Sequence, residues 1–147
     1  MNTNTAIKTP WHLWLVAALS LLWNAMGAFD YVMTQTKNAE YLAKFTPEQL
    51  AYFNSFPIWV QGTWAIAIFG SVLGSILLLL RSRHAVLAFW VAMLAMIATT
   101  AHNFILSDVK MSDVVDPIAL VFTVVIFVVA VLLVYYSRRM RARGVLG

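Results

Sequence analysis

The sequence predicts an all-α integral membrane protein, a four-helix bundle with both termini cytoplasmic and a short amphipathic helix in its first extracytoplasmic loop. Three observations lead there. The chain has 147 residues, of which 62% are hydrophobic and 11% charged, more apolar surface than a soluble domain of this length can bury. The charges are segregated, so that Lys8–Asp30, Glu48–Arg81, Arg83–Asp108 and Asp116–Arg138 each enclose an uncharged run. Each run reaches the roughly 20 helical residues that a hydrocarbon core requires. A helix is the spanning form of choice because it satisfies its own backbone polar groups where lipid cannot.

The four spans are read as 11–32, 57–80, 84–106 and 116–136, in a single membrane domain covering 1–147. Residues 1–10 form a polar tail. Lys8, the apolar stretch after it and Ala25-Met26-Gly27 loosely imitate a signal peptide. The stretch is long for that role, and Trp23 and Asn24 crowd the cleavage point, so an uncleaved first helix is the reading. The first loop, 33–56, is the one sizeable soluble piece. Within it "TPEQLAYFNSF" carries a helix start: Thr46 as N-cap, Pro47 in the first turn and Gln49 closing a capping box. Leu50, Phe53 and Tyr52 give this helix an apolar side, and Phe56 follows, which suits an interfacial anchor or a lid.

"RSRH" is a tight turn that makes the second and third spans antiparallel neighbours, and "SDVKMSDVVD" does the same for the third and fourth. Trp11, Trp14, Trp59, Trp90, Tyr135 and Tyr136 sit near helix ends, as interfacial aromatics do.

The net charge of +4 follows from topology rather than from nucleic-acid binding. Lys8, Arg81, Arg83, Arg138, Arg139, Arg141 and Arg143 share one side. Lys37, Lys44 and Lys110 share the other with all six acids. The excess of Lys and Arg marks the first side as cytoplasmic and favours contact with membrane lipid there. With no cysteine in the chain, disulfides and thiolate metal sites are excluded.

Membrane helices associate through small residues and polar contacts. The stripes are Ala17, Ser20, Asn24, Gly27, Tyr31 in the first span and Thr63, Ala67, Gly70, Gly74 in the second. They continue as Ala85, Ala88, Ala92, Ala95, Thr99, His102 in the third and Asp116, Ala119, Thr123, Ala130 in the fourth. Gly27, Gly70, Gly74, Ala88, Ala92 and Ala95 are therefore read as helix-packing residues. The Gly70–Gly74 pair serves packing within the chain or a homo-oligomer. Gln61, opposite the stripe of its helix, is read as an oligomer contact or an interfacial group.

The intramembrane polar residues fall on these stripes at similar depth. Asn24 lies six residues below Asp30, about 9 Å at the α-helical rise. Converging stripes would gather Asn24, Tyr31, Thr63, Thr99, His102 and Asp116 into an outward-facing polar pocket for a small polar ligand, a lipid headgroup or a proton. Interhelical hydrogen-bond glue explains the same amide and threonines, and a local His102–Asp116 pair explains the other two. Asp30 is about 90° off the stripe at ~100° per residue, and is read as the mark of the outer boundary.

No HExxH, GxSxG, P-loop or dinucleotide fingerprint is present. His102 with Asp116 could form a base and its orienter, but no nucleophile accompanies them. No carboxylate lies near mid-membrane, which fits proton-coupled exporters of the small multidrug-resistance type badly. His12 and His84, at the cytoplasmic ends of their helices, read as interfacial residues rather than ligands of a metal or haem. No catalytic residue, metal or cofactor is assigned, and an enzyme is the distant option.

Three segments carry a resemblance: "LLWNAMGAFDYVMTQ", "FTPEQLAYFNSFPIWVQGTWA" with "GSVLGSILLLLRSRHAV", and "YYSRRMRARGVL". Together they resemble an uncharacterised family of small bacterial four-helix inner-membrane proteins, some loosely labelled sugar transporter. The resemblance implies the four-helix topology and a bacterial inner membrane; it implies no binding residue. The functional expectation is a polytopic protein that binds a small molecule or lipid, with transport as an oligomer a further step. The alternative is a non-catalytic accessory subunit packed against a larger membrane complex.

Overall fold

The computed structural model describes residues 7–147, so the first six residues of the polar tail lie outside it. Among the described residues there is no strand. The elements are α1 (Trp11–Gln35), α2 (Ala39–Leu42), α3 (Pro47–Asn54), α4 (Ile58–Leu79), α5 (His84–Ala101) and α6 (Pro117–Ala142). A π-turn, His102–Leu106, continues α5, and a 3₁₀ turn, Met111–Asp113, precedes α6. Four helices are long and apolar enough to cross a membrane: α1, α4, α5 with its π-turn, and α6. Only 11–22% of each apolar stretch is buried in the chain, so most of that surface suits lipid.

The predicted boundaries hold to within three residues except at the far end of α6, which runs on through "SRRMRA". The basic residues continue the helix because nothing in that segment breaks it before Gly144. There the chain turns back, with Gly144 at φ +71°. Its amide donates to the Arg141 carbonyl at 2.9 Å, and that of Val145 to Met140 at 3.0 Å. This is the Schellman cap, for which glycine is suited. It folds Val145 and Leu146 into the core beside Leu13, Leu78, Ala85 and Phe89. Arg83 donates its amide to the Gly147 carbonyl, and Gly147 donates to that of Arg81, both at 2.9 Å.

The helices pack in the order α1, α4, α5, α6. α4 and α5 make the most extensive contact, α1 lies on α4, and α6 lies on α5. Small residues set the α4–α5 approach. A Cβ on Gly70 would stand 3.1 Å from that of Ala92, and one on Gly74 would stand 2.7 Å from the Phe89 ring. The Gly70–Gly74 face is thus occupied within the chain. α1 and α6 do not pack along their length. They meet at the end that carries the arginines, where His12 Nδ1 and the Tyr136 hydroxyl are 2.5 Å apart, and they separate toward the other end.

That other, acid-rich end is closed by the loop between α1 and α4. The predicted capping box forms: Thr46 Oγ1 accepts from the Gln49 amide at 3.3 Å, and Gln49 Oε1 accepts from Thr46 at 3.1 Å. α3 folds Tyr52 and Phe56 against Val60, with Phe53, Trp64, Met111 and Val114 around them. Gln49 Nε2 also donates to the Val114 carbonyl at 3.3 Å, tying α3 to the α5–α6 connection. Gln61 makes a contact within the chain. Its amide donates to the Phe56 carbonyl at 2.9 Å and so stiffens the α3–α4 corner.

Candidate functional site

Where α1 and α6 separate, they leave a cavity of about 880 Å³. α1 supplies Trp23, Asn24, Met26, Gly27 and Asp30; α5 supplies Met93, Met96, Thr99 and Asn103; α6 supplies Phe122, Thr123, Ile126 and Ala130. α4 closes the back with Trp64, Ala67, Ile68 and Ser71. Tyr41, Phe53, Phe56 and Met111 roof it at the acid-rich end. Across the gap, Trp23 and Phe122 meet with ring centroids 5.5 Å apart. The walls are largely apolar and aromatic, with a few polar groups among them, the usual composition of a small-molecule site.

Six residues were expected to converge on one polar pocket; the structure divides them. Asn24 and Thr99 border the cavity. Thr63 does not, although Thr63 Oγ1 and Thr99 Oγ1 are 2.9 Å apart and join α4 to α5. Tyr31 packs edge-on against Trp64 and Phe69, at centroid separations of 4.9 and 5.5 Å. His102 is buried between Phe56 and Trp59, and its Nδ1 lies 3.3 Å from Asn103 Oδ1. Asp116 is exposed at the N-cap of α6, and its side chain makes no capping hydrogen bond. The expected His102–Asp116 pair does not form. The π-turn is responsible in part, because it adds a residue to the last turn of α5 and re-aims the side chains beyond Ala101. Ser107 donates to the His102 carbonyl at 2.9 Å to close that turn.

Asn24 has a clear structural task. Its Nδ2 donates to Ser75 Oγ at 2.9 Å and to the Ser71 carbonyl at 3.2 Å. Ser20 Oγ lies 3.0 Å from the same Ser75 oxygen. Both amide hydrogens are thereby committed to the α1–α4 contact, while the amide edge borders the cavity. Thr99 and Thr123 donate to the carbonyls four residues earlier, at 3.1 and 2.9 Å, the usual satisfaction of a hydroxyl inside a helix.

The ionisable groups of this wall are Asp30, which the sequence marks as the outer boundary, and Tyr41, which the sequence does not single out. Asp30 borders the cavity, and its Oδ1 accepts a hydrogen bond from the Tyr41 hydroxyl. Asp30 is 90° from the small-residue stripe because that stripe faces α4, whereas the cavity lies on the adjoining face of α1. Tyr41 stands in the loop, on the short α2 that the pattern did not suggest. Burial, together with the bonded Asp30 carboxylate, pushes the Tyr41 phenol from 10.0 up to about 12. Asn38 caps α2 by accepting from the Tyr41 amide at 2.9 Å, which fixes the ring over the cavity mouth.

Lys110 closes the neighbouring corner differently. Its ammonium donates to the Ile105 carbonyl at 2.8 Å and to that of Ser107, free acceptors at a helix C-terminus. No lysine, arginine or histidine borders the cavity. No group of three or more potential metal ligands occurs among the described residues.

No protein family, curated protein or solved structure matches the chain.

Proposed function

We propose that this protein is a membrane receptor or carrier for a hydrophobic or amphipathic small molecule, held in the cavity between α1 and α6. The observation that carries the reading is the cavity itself, about 880 Å³, largely apolar, roofed by aromatic side chains and flanked by two helices that do not pack on each other. The exposed flanks of these helices, Leu22 and Met26 on α1 and Phe122 on α6, offer a path from lipid rather than from water. Of the small molecule or lipid expected from the sequence, a lipid or a lipid-soluble molecule suits such a site better than a polar solute.

The basic end is the cytoplasmic one in this reading, because seven of the ten Lys and Arg residues lie there. α3 and the roof then face the outside. A reporter fused after Gly147 should read cytoplasmic; an external signal would reverse the assignment.

Ala130 tests the site. It borders the cavity from α6 and makes no polar contact that the fold needs. Ala130→Phe should fill the space, displace any molecule that purifies with the protein and leave the helical content and melting unchanged. Undiminished ligand in native mass spectra of the variant would refute the reading. A stoichiometric larger complex in mild detergent, with no small molecule bound, would instead favour an accessory subunit.

A further inference from the structure

The cavity wall holds one carboxylate and no cation. Asp30 Oδ1 accepts the Tyr41 hydroxyl, whereas Oδ2 has no hydrogen-bond partner among the described residues. A carboxylate half-buried at the edge of a largely apolar space is better accommodated when a positive charge accompanies it. Lys44 Nζ lies over the outer Tyr41 ring, 4.9 Å from its centroid, but forms no ion pair with Asp30 among the described residues and does not border the cavity, so a ligand can supply that charge. The surroundings restrict which cation it would be. A metal ion needs several oxygen ligands or retained water, and one carboxylate among aromatic and methionine side chains offers neither. Those same side chains suit an organic cation. Trp23 and Trp64 border the cavity, and aromatic faces attract cations. Met93 and Met96 adapt to bulky apolar groups. An anionic amphiphile meets the opposite: a carboxylate and no donor of positive charge.

We infer that the cavity selects lipophilic organic cations, with the positive centre seated at Asp30 and the apolar substituents against Trp23, Trp64 and the methionines. This inference rests on the reading of the cavity as a binding site and adds its charge preference. Asp30 acts here as the specificity-determining residue, and Tyr41 as the group that holds its carboxylate toward the mouth.

Three probes separate the possibilities: tetraphenylphosphonium and tetraphenylborate, which are nearly equal in size, and the smaller neutral triphenylphosphine oxide. Binding is measured by equilibrium dialysis of the full-length protein in detergent against matched detergent buffer. The cation should bind at least about tenfold more tightly than the anion, a discrimination that one facing charge can give. Asp30→Asn keeps an acceptor for Tyr41, so it should remain folded. It should lose about tenfold in affinity for the cation and hold the neutral probe within about twofold. Asp30→Glu, which keeps the charge, should restore cation binding. Equal affinity for cation and anion, or an unchanged cation preference in Asp30→Asn, overturns the inference and leaves the cavity reading standing. If none of the three probes binds, or if Ala130→Phe binds all of them as the native chain does, the cavity reading falls as well.

Discussion

At the scale of single residues, the polar groups of the spans divide by what their hydrogen bonds already do. Asn24 commits both amide hydrogens to Ser71 and Ser75, and Thr63 and Thr99 bond each other. The glue reading of these residues therefore has geometry behind it, whereas Asp30 keeps a free carboxylate oxygen toward the cavity. The Asp30–Tyr41 contact has a measurable consequence. Burial first, and then the bonded carboxylate, raise the Tyr41 phenol to about 12 from 10.0. The folded protein thus retains a proton that the unfolded chain releases near 10. The stability linked to Tyr41 should be fully present below pH 10 and be lost as the pH rises from 10 through about 12. The phenolate absorbance difference between the native chain and Tyr41→Phe should show this titration near 12. Its appearance near 10 would mean that the Asp30 contact does not persist in solution. The sequence places Asp30 at the outer boundary rather than in the site for a geometric reason. A small-residue stripe reveals the tightest neighbour of a helix, here α4, and says nothing of a second inward face that borders empty space.

At the scale of elements, local rules were legible where the signal lay within a few residues. The Thr46–Gln49 capping box and the Pro47 start of α3 form as written. The caps at the other helix ends were not legible, because they place ordinary residues in the left-handed region. α1 ends with Lys37 at φ +53°, and α4 ends with Arg81 at φ +56°. Both sit in Schellman caps: Asn38 donates to Met33 at 3.1 Å and Lys37 to Thr34 at 3.2 Å, while Ser82 donates to Leu77 at 2.8 Å and Arg81 to Leu78 at 3.0 Å. Only α6 uses glycine there. A non-glycine residue in this conformation costs about 1–2 kcal/mol. Lys37 makes no side-chain hydrogen bond among the described residues, so Lys37→Gly should stabilise the protein by about 1 kcal/mol. Arg81→Gly should gain less, because it also removes the bond from Arg81 Nε to the Val145 carbonyl at 3.3 Å. Denaturant melts of the two variants check the order. A destabilised Lys37→Gly would mean that the left-handed turn carries no strain.

At the scale of the whole molecule, charge segregation and apolar run length were enough to give four spans and their antiparallel neighbours, because lipid leaves the backbone few alternatives. The same constraint does not decide whether the first and last helices close the bundle. Closure depends on side-chain volume at a distance. At the basic end α1 and α6 are joined by the His12–Tyr136 contact, and Val134, Met140 and the folded-back Val145 and Leu146 pack in one core with Leu13 and Leu78. Toward the acid-rich end the two helices border the cavity instead, α1 through Asn24, Gly27 and Asp30 and α6 through Thr123, Ile126 and Phe127. The molecule is therefore pinned at one end and parted at the other. A ligand that enters from lipid must pass between α1 and α6, where Trp23 and Phe122 touch. The chain has no cysteine, so Trp23→Cys with Phe122→Cys creates the only thiol pair. Bridging it with a short bifunctional thiol reagent should leave the fold intact and slow both uptake and release of the neutral probe at least about tenfold. The singly substituted chains, treated in the same way, should exchange it freely. Equal exchange rates before and after bridging would place the route elsewhere, through the roof of α2 and α3, and would make the loop rather than the helix pair the gate.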